Sequence, residues 1–329
     1  MAKYLIIRFS SIGDIVLTSP IVRCLKKQNK FNQVHFITKE NYKATLADNP
    51  YLDKIYTIKS SINELIDQLK EENYDYIIDL HKNVRSAALK LKLKRPSFSF
   101  HKLNFKKWLA VKFKMQFLPP VHIVDRYFDA LEKLKIKNDK SGLDFFINPE
   151  NEINLKNYLP VDFQGVFFAL IIGGAHETKK FPELKIIDLL NKINSPVVLL
   201  GDKNDKIIGD KICKSSIGKI FNACGDLNLQ QSASIIKQCT KVITNDTGLM
   251  HIAAAFNKPI VSLWGNTIPE FGMYPYMPKA ENKSVIIQVK NLACRPCSKI
   301  GYSSCPKGHF NCMNLIETKD IIEALQKVN

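Results

Sequence analysis

Two glycine–aspartate turns, each set between an apolar run and a helix-forming stretch, constrain this chain more than any other feature. The first is Ser10-Ser11-Ile12-Gly13-Asp14, directly after Tyr4-Leu5-Ile6-Ile7. The second is Asn245-Asp246-Thr247-Gly248-Leu249-Met250-His251, directly after Lys241-Val242-Ile243-Thr244. Each spells a buried strand, a tight turn and a helix. In open α/β sheets, ligands sit at that junction, beyond the carboxyl ends of the strands. One junction in each half predicts two Rossmann-like lobes facing one central cleft.

The rest of the chain repeats the βαβ pattern, which implies a mostly parallel sheet. Residues 4–9, 34–38, 55–58 and 76–80 are short apolar, β-rich runs. Residues 14–28 have apolar groups at helical spacing, with Pro20 early, where proline is tolerated. Residues 62–72 form an amphipathic helix, and helix-rich basic sequence runs on to about residue 137. The polar stretch 138–164 interrupts the alternation, and the linker falls in its second half. Strands then follow at 166–172, 197–200, 241–244, 260–264 and 285–287, with helices at 183–193, 204–216, 249–256 and 318–327. At 329 residues the chain accommodates two domains, 1–157 and 158–329. There is no internal repeat and no low-complexity tract.

No apolar run approaches the length of a membrane span. The first apolar segment is too short for a signal peptide and reads as a strand, which predicts a cytoplasmic location. The net charge of +17 is uneven: Lys82–Lys137 holds 15 Lys/Arg against Asp125, Asp129 and Glu132. Such a field attracts polyanions, namely nucleic acid, an anionic membrane surface or a phosphorylated substrate. A solvated Lys-rich surface is the plain alternative. No RNP-like or zinc-finger pattern accompanies the charge, so an anionic acceptor or the inner membrane surface is the expected partner, not nucleic acid. Phe98, Phe100, Phe105, Trp108, Phe113 and Phe117 lie among the lysines. Interleaved aromatics keep single-stranded nucleic acid in play, although the spacing over 105–117 also suits a helix face packed on lipid or core.

Several strand-end residues can carry chemistry. The backbone N–H groups at Thr247 and Gly248 open a helix whose dipole favours phosphate, with Asp246 and His251 nearby. Taken alone, Asp246 is also a plain N-cap and His251 a core histidine. Gly173-Gly174-Ala175-His176-Glu177-Thr178-Lys179-Lys180 ends another strand, and a lysine there can neutralise a diphosphate or be merely solvated. Asp202 and Asp205 follow Gly201, a place where carboxylates hold ribose hydroxyls. In the first half, Asp14 suits a general base and equally a helix cap. Ser11 and Gly13 share its turn, and His81, Asn83 and Arg85 leave the strand ending at Leu80 toward the same cleft. There is no G-x-S-x-G elbow, P-loop or G-x-G-x-x-G.

These segments, in this order, resemble glycosyltransferase family 9, the lipopolysaccharide heptosyltransferases. The resemblance rests on RFSSIGD with IVLTSPIVRCLKK, IDLHKNVRSA, IIGGAHETKKFP, and NDTGLMHIAAAFNKPIVSLWGNTIPEFGMYPY. It covers nearly the whole chain except about residues 95–165. It implies the GT-B architecture, with acceptor on the N-terminal domain and nucleotide-sugar on the C-terminal one. It further implies an inverting transfer of heptose, from ADP-heptose to a lipopolysaccharide core acceptor, with no cofactor and no catalytic metal. By resemblance Asp14 is the base, Lys179 neutralises the leaving diphosphate, and Thr247 and Gly248 hold phosphate, with Asp246 and His251 completing the donor pocket. The chain departs from the family at Gly174-Ala175, where hydroxyl residues are common, and at Phe181, where Trp is frequent. A GT-B transferase using another nucleotide-sugar, and a non-catalytic nucleotide- or nucleic-acid-binding protein, are the competing readings.

Four of the eight cysteines cluster as Cys294-x-x-Cys297, Cys305 and Cys312, with His309 between the last two. Structural zinc, free thiols in a packed loop and a disulfide all fit this spacing. The spacing from Cys305 to Cys312 is looser than the usual zinc knuckle.

Overall fold

The computed structural model describes residues 1–115 and 117–329. It divides into two compact units, one of residues 1–102 with 121–146, the other of residues 103–120 with 147–329. Each is a parallel sheet covered by helices.

In the first unit, strands β1 (Lys3–Ile7), β2 (Gln33–Lys39), β3 (Lys54–Ile58), β4 (Tyr76–Asp79) and β5 (Ser97–Ser99) form a sheet in the order β3-β2-β1-β4-β5. Leu5, Ile6 and Ile7 are fully buried, as expected of a central strand covered on both faces. Helices α1 (Ile12–Val16), α2 (Ser19–Gln28), α3 (Ile66–Glu71), α4 (Val84–Leu93) and α6 (Ile123–Asp129) belong to this unit, and α5 (Asn104–Phe113) to the other. Ile66 and Leu69 of α3 and Leu89 and Leu93 of α4 pack on Leu5, Ile7 and Ile77.

The single helix expected over 14–28 is two. Pro20 has no N–H to continue the ladder, so the chain pauses at Leu17–Thr18 and restarts with the proline in the first turn of α2. The buried Arg23 of α2 ties down the segment after α6. It bonds both oxygens of Asp139 at 2.8 and 2.9 Å, the Gly142 carbonyl at 2.9 Å, and the Asp144 carboxylate.

The second unit holds β6 (Phe168–Ile171), β7 (Val197–Leu200), β8 (Ile220–Asn222), β9 (Lys241–Asn245), β10 (Ile260–Trp264) and β11 (Ser284–Gln288), in the order β11-β10-β9-β6-β7-β8. The helices after α6 are α7 (Leu155–Tyr158), α8 (Glu183–Leu190), α9 (Lys206–Ser215), α10 (Leu229–Gln238), α11 (Gly248–Ala255), α12 (Asn311–Asn314) and α13 (Thr318–Lys327). One core joins Leu170, Leu199, Ile243, Val261 and Leu263 of the sheet to Ile186, Leu189, Ile212, Ile321 and Leu325 of the helices.

Both sheets reverse strand order once, the first between β1 and β4, the second between β6 and β9. Helices leave on opposite faces at such a point, which opens a crevice at the strand ends. Both glycine–aspartate turns lie there.

The basic segment divides between the units. Residues 103–120 pack with the second unit, through Ala110, Val111 and Leu118 against Ile268 and Phe271. The lysines of α5 therefore belong to the second unit, not to the 1–157 domain in which sequence order had placed them. Among the described residues, no helix is long and apolar enough to cross a membrane.

Candidate functional site

At the first switch point, Asp14 sits in the first turn of α1 with its side chain 22% exposed. One carboxylate oxygen pairs with Nη2 of Arg8 at 2.6 Å. The other accepts from the Ser11 hydroxyl at 2.9 Å and the Ser11 N–H at 3.2 Å. Burial pushes this carboxyl up, but the Arg8 guanidinium and the two Ser11 bonds outweigh it and hold it below the usual aspartate value. Arg8, buried where β1 ends, is locked in turn by the Ser10 carbonyl at 2.8 Å and the Tyr127 hydroxyl at 3.4 Å. The sequence reading missed Arg8; a cation at the end of an apolar strand was its signal.

His81 follows β4, with its ring 5.1 Å from that of Phe9. Burial, then the charges of Arg8 and Lys102, push it down to about 4, so it is neutral near pH 7. Its Nδ1 is buried with no hydrogen-bond partner among the described residues. Asn83 is the N-cap of α4, its side chain accepting from Ser86 N–H at 2.9 Å, and Arg85 lies over the Phe9 ring at 5.9 Å. Asp79 is buried beneath this turn and bound by His81 N–H, Lys82 N–H, the Ser86 hydroxyl and Lys90. The turn is therefore a shaped wall beside Asp14, with Asn83 serving the fold.

The Arg8 pair makes a pH prediction. With Asp14 held ionised at and above its ordinary range, any acid limb of kcat/KM that this group sets falls below about pH 4. Asp14 also contributes stability that is present above the unfolded-state pKa and is lost as pH falls through the lower folded one. Arg8→Lys loosens the pairing of Nη2 with one Asp14 oxygen and lets burial prevail, so that limb moves upward. A pH–rate profile with an unmoved limb in that variant would count against the pairing.

At the second switch point, the loop after β6 meets the turn after β9. Lys179 Nζ lies 2.7 Å from Asp246 Oδ2, and the Thr267 hydroxyl donates to the same oxygen at 2.8 Å. Thr247 is the N-cap residue of α11, and Gly248 is its first residue. A Cβ on Gly174 would lie 3.7 Å from the Thr247 methyl, so the two loops are in contact there. Ala175 is exposed at the outer edge of the loop, and His251 is buried inside α11.

Asp202 and Asp205 serve their own loop. Asp202 caps it by accepting from Asn204 N–H at 2.7 Å. Asp205 is buried, accepts from Asp202 N–H at 2.9 Å and pairs with Lys180 at 3.1 Å. Gly173 and Gly201 are required there: a Cβ on either would fall within 3 Å of Asp205.

Asn245, also missed, clamps the loops together. Its Nδ2 donates to the carbonyls of Ile171, Ile172 and Gly173 at 3.3–3.4 Å, and its Oδ1 accepts from Phe181 N–H at 3.2 Å. Asn245→Ala should cost about 1–3 kcal/mol, because a buried N–H loses its acceptor. Urea unfolding checks the cost. A variant as stable as wild type would show the clamp to be idle.

The cysteine-rich loop supports this site from behind. Tyr302 N–H donates to the Thr178 hydroxyl at 2.8 Å, and Thr178 N–H donates to the Tyr302 carbonyl at 3.2 Å. Arg295 donates to the Thr267 carbonyl at 2.7 Å, and Cys297 N–H to the Asn266 carbonyl at 3.0 Å. All eight cysteines are free thiols. Cys294 Sγ lies 3.9 Å from His309 Nε2. Burial, then Cys294, pushes the Cys297 thiol up to about 11; burial and Cys297 push Cys312 up to about 12. Among the described residues, no group of three or more His, Cys, Asp or Glu is placed to hold a metal ion.

A cavity of about 140 Å³ opens beside the loops that follow β6 and β7, lined by Ile172, Lys180, Phe181, Ile186, Asp205 and Ile208 among others.

Comparison with known proteins identifies the family and the fold. The chain is 25% identical over 293 residues to lipopolysaccharide heptosyltransferase 1 of Campylobacter coli, covering 80% of this chain and 84% of that one. Its fold matches a family 9 glycosyl transferase from Veillonella parvula with a TM-score of 0.79 at 22% identity, covering 99% and 96% of the two chains. It also matches E. coli ADP-heptose lps heptosyltransferase II with a TM-score of 0.74 at 20% identity, covering 98% and 97%. The fold is thus that of the GT-B heptosyltransferases. The family model for glycosyltransferase family 9 (heptosyltransferase) matches residues 62–304. With that match over most of its length, the chain belongs to glycosyltransferase family 9, the heptosyltransferase family.

Proposed function

We propose that this glycosyltransferase moves a heptose from ADP-heptose onto a lipopolysaccharide core acceptor, with inversion at the anomeric carbon. The observation that carries this reading is the placement of a carboxylate and a phosphate-suited turn at the switch points of two parallel sheets. In the proposal, the acceptor binds the first unit, which replaces the 1–157 expected from the sequence with residues 1–102 and 121–146, and the donor binds the second.

Asp14 takes the proton from the acceptor hydroxyl as that oxygen attacks the anomeric carbon. The bond to the donor phosphate breaks on the opposite face, and ADP departs. Lys179 and the N-terminus of α11, at Thr247 and Gly248, neutralise the charge that builds on the diphosphate. Asp246 holds Lys179 in place until phosphate arrives. Gly174 and Ala175 border the diphosphate, and the cavity beside Asp205 receives the nucleoside end. Asp202 and His251 support this pocket from the loop and from within α11. Ser11 and Gly13 shape the base's turn, and His81, Asn83 and Arg85 border the acceptor. The acceptor is anionic, and the protein works in the cytoplasm, in peripheral contact with the inner membrane surface.

The test supplies ADP-heptose and a heptose-deficient core acceptor. ADP release together with the mass gain of one heptose on the acceptor is the expected result, and NMR of the product reads the anomeric configuration. Transfer from a different nucleotide-sugar alone would refute the donor assignment; retained configuration would refute the inverting mechanism.

A further inference from the structure

We propose that the outward face of α5 docks the enzyme on an anionic bilayer, with its aromatic side chains entering the interface between lysines. This rests on the membrane contact proposed above and assigns its surface.

The helix has two unlike faces. Ala110 and Val111 point inward, onto Ile268 and Phe271, and Lys107 lies over the Phe271 ring at 5.2 Å. At 100° per residue the other side carries Phe105, Trp108, Leu109, Lys112, Phe113 and Lys106. Phe105 is 69% exposed, Trp108 44% and Phe113 55%. The three rings form one continuous patch: Phe105 stacks on Trp108 at 6.0 Å, and Phe113 meets Trp108 edge-on at 5.4 Å. Met115 and Phe117, just past the helix end, are exposed apolar residues of the same unit. Scattered exposed apolar residues need no explanation, but a contiguous aromatic patch does.

Charge selects the occupant. From His81 to Val124 there is no Asp or Glu, and Lys106 and Lys112 lie exposed on the aromatic face. An aromatic and cationic face without acids complements a sheet of anionic headgroups over hydrocarbon. The platform is firm, because Lys114 donates to the carbonyls of Val111 at 2.8 Å, Cys294 at 3.1 Å and Pro296 at 2.7 Å, pinning the end of α5 to the cysteine-rich loop. A rigid helix inserts its rings without an ordering cost.

The test uses the full-length protein with phosphatidylcholine vesicles, with and without phosphatidylglycerol. Only two tryptophans are present, and Trp264 is 1% exposed, so an emission change reports Trp108. A blue shift and co-sedimentation with the anionic vesicles alone are expected, both weakening with salt. Phe105→Ser with Phe113→Ser should reduce vesicle affinity about tenfold or more, and Lys106→Glu with Lys112→Glu by a similar factor. Turnover of a lipid-free acceptor fragment should be unchanged in both variants.

Anionic-vesicle binding that neither double variant alters would overturn the assignment to α5. An absent blue shift, or tight binding of single-stranded DNA without vesicle binding, would overturn membrane docking itself. Turnover of the lipid-free fragment tests the transferase reading separately, so the two proposals fail independently.

Discussion

Asp14→Ala is expected to lower turnover by about 10²–10⁴-fold, the usual worth of a positioned general base, with ADP affinity nearly unchanged. The split between the two quantities is the informative part. Asp14 lies in the first turn of α1 in the first unit, whereas Lys179, Thr247 and Gly248 lie in the second. Removing the carboxylate takes away the proposed proton acceptor and leaves those groups untouched. It also leaves Arg8 buried with an unbalanced charge, since Arg8 pairs with Asp14 at 2.6 Å. Asp14→Asn keeps the shape and the Ser11 contacts, and so separates lost basicity from lost folding. Steady-state kinetics with calorimetric ADP titration, on variants shown to be folded, decides the matter. Wild-type turnover in Asp14→Asn would remove Asp14 from the mechanism.

Lys179→Ala is expected to weaken ADP binding by about 10- to 100-fold, the range for a hydrogen bond to a charged group. Two effects act together. The ammonium no longer meets the diphosphate, and Asp246, which it neutralises at 2.7 Å, is left facing an anion. Thr247→Val should cost less, about tenfold or under, because it removes one hydroxyl and leaves the backbone N–H groups of α11 in place. Lys180→Ala is the contrasting variant. Lys180 is held by Glu177 at 2.6 Å and by the buried Asp205 at 3.1 Å, so its loss should lower stability more than ADP affinity. Calorimetry and thermal unfolding, run side by side, separate the two lysines. Unchanged ADP affinity in Lys179→Ala would mean that the phosphate site lies elsewhere.

The central strands and most of the helices were legible in the residues. Buried parallel strands are continuous apolar runs such as Tyr4–Ile7 and Ile260–Trp264, and glycine and proline mark their ends. The strands β5 and β8 and the helix α10 were not. The two strands are three-residue edge pieces with Ser97, Ser99 and Asn222, too short and polar to show a period. The buried side of α10 mixes Gln230, Ser232 and Ser234 with Ala233, Ile235 and Ile236, so polar groups interrupt the apolar stripe that would have announced a helix.

The candidate site divides along the same line. Local sequence determined the glycine–aspartate turns, the phosphate-suited start of α11 and the lysines after β6, because a strand–turn–helix junction is written in consecutive residues. Only the tertiary structure decided how those residues are paired. Arg8 meets Asp14 across one turn, but Lys179 meets Asp246, and Asn245 meets Ile171–Gly173, across more than sixty residues of chain. The packing of α5 with the second unit is of the same kind: Ala110 finds Ile268 and Phe271 far along the sequence. Local patterns set which residues can do chemistry, because propensity acts over a few neighbours. Which charge offsets which, and which face stays exposed, depends on distances that exist only once the sheets have closed around their cores.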